Sequence, residues 1–273
     1  MMDFNLDKYK NHKESLIRIH KESYDFDFLL NQIDIDHANK ITGKLGNETT
    51  NQFLKAISYR MESVLFHYNL LYNINPKECK SSFLEEEISI RQNCLFDSII
   101  FNTASLFDYY SCFIWYIIGE SKTEKKLWNS LAKSTRHDSQ IKKSKIGILV
   151  DFYDREWITK LFDYRAELIH YKDDWANETY TVDNKKLIVH SPDKILKYFK
   201  IHKKTDIQDK VITIEQISLW VIENSINICI EFANALKIFI QDNRKRESDV
   251  IQFLDTNDIE IMKGIIKKMK NNT

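Results

Sequence analysis

Five glycines and two prolines in 273 residues leave this chain few means of turning tightly. Glycine supplies positive φ and proline a fixed φ, and sheet corners and reverse turns draw heavily on both. A sheet-rich fold needs such residues in quantity, so the shortage predicts long helices joined by polar loops. The apolar spacing agrees. Phe53, Ile57, Met61, Val64, Leu65, Tyr68 and Leu71 recur at helical intervals between about Glu48 and Asn73, and Pro76 stops the run. A second helix is expected over about Phe83–Gly119, a third over about Ile148–Lys172 and a fourth over about Ile214–Asp242. The fourth carries Ile217, Trp220, Val221, Asn224, Ile228, Phe232, Ala235 and Phe239 near one face. Only "ETYTVDNKKLIVHS" alternates, with a turn at Asp183-Asn184, and it predicts a small β-hairpin at about 178–190. The expected fold is therefore all-α: an antiparallel four-helix bundle with extra N- and C-terminal helices and a small β-hairpin insertion. A single domain spans 1–273, divided into a helical arm (1–46), the bundle (47–242) and a C-terminal extension (243–273).

The second half of the second helix, "CLFDSIIFNTASLFDYYSCFIWYIIG", is apolar on nearly every side. Asp97, Asn102 and Asp108 interrupt it, and a charge at bilayer depth costs at least ~2.5 kcal/mol, so a buried central helix is expected rather than a membrane span. The N-terminus has no apolar signal-peptide core, and the four cysteines form no C-x-x-C pair. Reduced, buried thiols in a cytoplasmic protein are the expectation. Formal net charge is zero, so no global field steers the chain to nucleic acid or membrane. Charge is instead concentrated locally. Between Ser121 and Ile146, eight Lys/Arg stand against Glu124 and Asp138, a net of +6 that includes Lys142, Lys143 and Lys145. No Gly-rich phosphate loop, H-E-x-x-H or repeated Glu-x-x-His is present, so neither a metal nor another cofactor is expected.

One stretch departs from plain scaffold. In "LFDYRAELIHYKDD", Leu161 to Asp174, an arginine interrupts an apolar helical arc. With Tyr164 at zero and about 100° per residue, Leu161, Leu168, Tyr171 and Trp157 lie within about 60° of it. Ile158, Ile169 and Phe162 fall at about 120–160°, and Arg165 at about 100°, between the two sets. Asp163, Glu167 and His170 lie on the polar arc. A guanidinium among apolar residues is costly unless it meets a carboxylate, a phosphate or water. Asp97 and Asp108, three turns apart on the central helix, can supply an ion pair that fixes helix register. If the second and third helices are antiparallel neighbours, Arg165 lies level with Asn102 and about five residues from Asp97.

"RAELIH" resembles the motif of the HEPN superfamily (higher eukaryotes and prokaryotes nucleotide-binding), an arginine followed after four to six residues by a histidine. That domain is a four-helix bundle with the motif near the end of its third long helix, which is where Arg165 and His170 fall here. The resemblance covers roughly Glu48 to Asp242. It implies a metal-independent endoribonuclease of toxin or defence type, with Arg165 stabilising the charged phosphorane and His170 acting as general acid and base. Members often carry a polar residue directly after the arginine. Here it is Ala166, so Glu167 or Asp163 is expected to support His170. Arg165 and His170 are about 140° apart on one helix, and the resemblance implies a homodimer that builds a composite site from two copies. RNA or a nucleotide, and an antitoxin-like protein, are the further partners implied, with Lys142, Lys143 and Lys145 attracting phosphate. A non-catalytic module that binds nucleotide, RNA or a protein is the alternative.

Overall fold

The computed structural model describes residues 6–9, 11–42, 48–74, 82–119, 127–137, 140–171, 177–182, 185–190, 193–199 and 213–244. These residues are helical apart from one pair of strands. The long helices are α1 (His12–His37), α2 (Glu48–Asn73), α3 (Ser82–Ile118) and α9 (Ile214–Asp242). Between α3 and α9 come α4 (Trp128–Ser134), α5 (Gln140–Lys143), α6 (Lys145–Tyr153), α7 (Thr159–Tyr171), the strands β1 (Asn177–Val182) and β2 (Lys185–His190), and α8 (Asp193–Tyr198). The strands pair antiparallel, with Asn177 opposite His190 and Val182 opposite Lys185. The expected C-terminal extension lies outside the described residues from 245 onward, as do Cys79 and the Asp183-Asn184 turn. No helix among the described residues is long and apolar enough to cross a membrane.

Helix α9 is the axis of the core. Ile217, Trp220, Val221, Ile228, Phe232, Ala235 and Phe239 are buried as the spacing predicts, and so are Leu219, Ile222, Ile226 and Leu236 on other faces. Its start is fixed by a capping box. The Thr213 hydroxyl accepts from the Gln216 N–H at 3.3 Å, and the Gln216 side chain accepts from the Thr213 N–H at 3.0 Å. Helix α3 packs on it through Tyr110, whose hydroxyl donates to the Cys229 carbonyl at 3.0 Å. Cys112 and Cys229 are buried free thiols, whereas Cys94 is free and exposed.

The N-terminal segment, read from sequence as an arm, is part of the core. Ile19, Phe26, Leu30 and Ile33 of α1 are all at most 1% exposed. Contacts of α1 and of the π-helical turn that continues it, Ala38–Thr42, rise together along α9, Arg18 to Glu223 at 2.8 Å and Lys40 to Gln241 at 3.3 Å, so the two helices run in the same direction. The buried Glu223 also accepts from Tyr9 at 2.7 Å and pairs with Lys8 at 2.8 Å. These three partners hold its carboxyl below the usual range despite the opposing cost of burial. Against α2 the direction reverses: Asp27 meets Ser58, and His12 meets Tyr68.

The expected third helix is present but not uniform. Helices α6 and α7 are joined by a π-helical turn, Asp154–Ile158. Ser144 caps α6 by accepting from the Gly147 N–H at 3.1 Å. Gly147 is required there, because a Cβ would lie 1.9 Å from the Ile141 carbonyl oxygen. At the π turn, Asp154 is 3% exposed. It accepts from the Trp128 indole N–H at 2.8 Å, the Thr159 hydroxyl at 2.9 Å and the Arg136 guanidinium at 2.5 Å. Removing the carboxylate leaves the buried Trp128 indole N–H without an acceptor and takes one partner each from Thr159 and Arg136, the latter keeping Asp151 at 3.6 Å. Asp154→Ala should therefore destabilise the fold by about 3–5 kcal/mol in urea titrations; a loss below about 1 kcal/mol would show that this node is dispensable.

Candidate functional site: the end of helix α7

Helix α7 crosses α3 with its apolar arc inward. Leu161 and Tyr164 are fully buried, and the Tyr164 ring meets Phe96 edge-on with centroids 6.3 Å apart. Arg165 follows at the rim of this contact. Its side chain is 32% exposed, with one guanidinium nitrogen 4.0 Å from an Asp108 carboxylate oxygen. The cation also lies 5.9 Å from the Phe162 ring centroid. The stem is thus covered while the head is open to solvent on one side.

Of the carboxylates expected near Arg165, Asp108 takes the place. The other Asp108 oxygen accepts from the Trp128 backbone N–H at 3.1 Å, at the N-terminus of α4, where a carboxylate is favoured. Burial nevertheless raises the Asp108 pKa, more than the Trp128 N–H and Arg165 lower it. Asn102 instead accepts from Arg60 at 2.8 Å and donates to the Ser98 carbonyl at 2.7 Å. Asp97 is half-buried on α3. Asn102 and Asp108 are six residues apart, about 9 Å of rise, which measures the error in the expected level. The cause is the connector between α3 and α6. It contains α4 and α5, so it is not the tight link that the level argument needs.

His170 is exposed, one residue before the end of α7. Glu167 turns toward α8: one oxygen accepts from the Tyr198 hydroxyl and the other lies 3.5 Å from Lys194. The Tyr198 phenol is pushed up to about 12, chiefly by that hydrogen bond. Both oxygens of this expected supporting group are therefore engaged from α8. Asp163 is exposed on the same side of α7. The Tyr198 ring also meets Tyr164 at 5.6 Å, and Phe199 meets Trp157 at 4.4 Å, so α8 clamps the helix that carries Arg165 and His170.

Lys142, Lys143 and Lys145 are exposed, but they are remote from this end. Tyr153 packs on Phe232 and Trp157 on Trp220, so α6 and α7 run opposite to α9. Lys143 and Lys145 border a cleft with Ile238, Phe239 and Asp242, at the C-terminal end of α9. The twenty residues from Lys145 to Arg165 span about 30 Å, so this cluster and Arg165 cannot meet at one phosphate.

Elsewhere, α1 and α2 form a groove of about 380 Å³ lined by Asp27, Asn31, Ser58, Tyr59 and Glu62. Burial raises the Asp27 carboxyl, the Ser58 hydroxyl 2.9 Å away opposes the rise, and Glu62 adds to it. Helix α7 contributes nothing to that groove. Among the described residues no three His, Cys, Asp or Glu side chains cluster so as to hold a metal ion. A comparison of the chain with protein-family models, with curated proteins and with solved structures finds no match in any of the three.

The Asp108 pair yields a test with a definite sign. A carboxyl whose folded pKa is raised favours the fold below its unfolded pKa, and that contribution is lost as pH rises through the folded value. At neutral pH the buried Asp108 carboxylate is a net cost. Asp108→Asn keeps an acceptor for Trp128 and should be as stable as the parent or more so at pH 7. The difference should shrink as pH falls to about 4, read by melting temperature. A loss of more than about 1.5 kcal/mol at pH 7 would show that the Arg165 ion pair outweighs burial.

Proposed function

We propose that this chain is a HEPN-like ribonuclease in which α2, α3, α6–α7 and α9 form the four-helix unit and Arg165 and His170 carry the chemistry. The observation that supports this reading is the end of α7: a half-covered guanidinium steadied by Phe162 and Asp108, with an exposed imidazole five residues on. In the proposed reaction the 2′-hydroxyl of RNA attacks the adjacent phosphorus, and His170 takes its proton. Negative charge gathers on the phosphorane oxygens, where Arg165 donates hydrogen bonds. The bond to the 5′-oxygen breaks, that oxygen receives a proton from an imidazolium, and a 2′,3′-cyclic phosphate remains. The fixed guanidinium needs no metal for its part.

A single straight helix presents residues 165 and 170 about 140° apart, so one α7 cannot turn both squarely to one phosphate. A homodimer solves this, with Arg165 from one copy and His170 from the other. Phe162, Arg165, Ala166 and Ile169 form a strip about 100° wide on α7, and Ile169 is 51% exposed, an apolar surface suited to such a contact. A toxin or defence role in the cytoplasm, held in check by an antitoxin-like protein, accords with this activity. A second reading, a non-catalytic module that binds RNA, a nucleotide or a partner protein, is favoured by one observation: Arg165 already has Asp108 as a counter-ion.

Single-stranded RNA incubated with the protein in chelator should be cut, and His170→Ala should abolish cutting without lowering the melting temperature. His170 is exposed, so its loss should change stability by no more than about 0.5 kcal/mol. Mixing inactive Arg165→Ala and His170→Ala chains should restore about a quarter of the parent activity, because half the dimers then hold one intact composite site. No restoration would refute the shared site. An intact protein that binds RNA or nucleotide and cuts neither would replace the nuclease with the binding module.

A further inference from the structure

Most arginines whose contacts are described already have a carboxylate. Arg18 pairs with Glu223, Arg91 with Glu87, Arg136 with Asp154, Arg155 with Asp151 and Arg165 with Asp108. Arg60 on α2 is different. It is half-buried, and among the described residues no carboxylate lies within ion-pair distance of it. One of its terminal nitrogens donates to Asn102 at 2.8 Å, and its Nε is buried without a partner. The guanidinium lies 5.5 Å from the Tyr59 ring centroid and 5.8 Å from that of Tyr109. Two rings and an amide thus fix its direction, and none of the three cancels its charge.

Its position on α3 matters as much as its charge. Asn102 and Tyr109, which Arg60 touches, are seven residues apart and lie within about 20° of each other round the α3 axis. Asp108, which Arg165 touches, is about 100° further round at the same level. The two guanidiniums therefore flank one strip of α3, their contacts about 100° apart round its axis. The floor of the strip is Ser98, Phe101 and Ser105, all half-buried, and Tyr59, 61% exposed, adjoins it through Arg60 and also lines the α1–α2 groove.

We propose that this strip binds the single-stranded RNA substrate, with Arg60 holding a backbone phosphate and the Tyr59 ring stacking a base. A fixed cation without a counter-ion beside an exposed aromatic face is what sequence-tolerant binding of a single strand requires. The inference rests on the ribonuclease reading, and it adds a binding subsite on α2 that lies beyond the Arg-His motif. It also supplies the phosphate attraction that the distant Lys142–Lys145 cluster cannot supply at Arg165.

The experiment is fluorescence anisotropy of a labelled, short, mixed-sequence single-stranded RNA, titrated with His170→Ala protein so that nothing is cut. Adding Arg60→Gln should weaken binding about tenfold and reduce the slope of log affinity against log salt by about one. Tyr59→Ala should weaken binding about fivefold or more and leave the salt slope unchanged. A purely structural Arg60 would lower the melting temperature and leave the salt slope of the folded protein as it was. If Arg60→Gln fails to fold, Tyr59→Ala at its exposed position carries the test. Unchanged affinity and slope in the folded variants would overturn the strip while leaving cleavage at Arg165 and His170 standing. A parent that neither binds nor cuts RNA would remove both.

Discussion

Trp128 is held by two carboxylates at once, and the arrangement of α3, α4, α7 and α9 depends on it. Its backbone N–H donates to Asp108 of α3 and its indole N–H to Asp154 at the π turn. The ring is fully buried, with Phe107 and Phe232 centroids each 5.8 Å away. One residue therefore sets α4 against its neighbours, through one backbone and one indole hydrogen bond to carboxylates and two aromatic contacts. Its position bears on the candidate site, because Asp108 is also the counter-ion of Arg165. The same carboxylate ends α4 and steadies the guanidinium. Asp154, at the break between α6 and α7, holds the turn that determines which face of α7 is presented to α3.

The helices were legible because their apolar spacing is long and regular. The α2 and α9 faces read from the sequence are buried almost residue for residue, Asn224 being half-buried. What the spacing could not give was partnership. Helix α1 has the same kind of broken amphipathic pattern as a surface arm, yet Ile19 and Phe26 are fully buried, because α9 offers apolar surface on several sides. The π turn at Asp154–Ile158 was invisible to a wheel that assumes about 100° for every residue. The oddity of Arg165 was visible, and its counter-ion belonged to the pair of aspartates named for it. Choosing between them required the connector's length in space, and α4 and α5 had taken up residues that a tight link would have left free. Arg60 carried no signal, since a single arginine on a helix flank reads as solubilising charge until the groups around it are known.

In the proposed reading, the two arginines that flank one strip of α3 divide the work that an anionic substrate demands. Arg165 is partly neutralised by Asp108, which in the proposed reaction suits it to charge that develops during reaction rather than to ground-state attraction. Arg60 has no counter-ion among the described residues and suits attraction. Helix α8 covers the opposite side of α7 and occupies Glu167, so His170 keeps its exposed position without that carboxylate's oxygens being free. Zero net charge is compatible with this division, because the attraction is confined to one strip.

The most direct test of the proposed chemistry is the mass of the 5′ fragments released from a defined single-stranded RNA in chelator. Attack by the 2′-hydroxyl predicts fragments ending in a 2′,3′-cyclic phosphate, and none cut after a nucleotide whose 2′-hydroxyl is replaced by hydrogen. Fragments ending in a 3′-hydroxyl, cutting that survives the 2′-deoxy substitution, or no fragments at all would contradict the account.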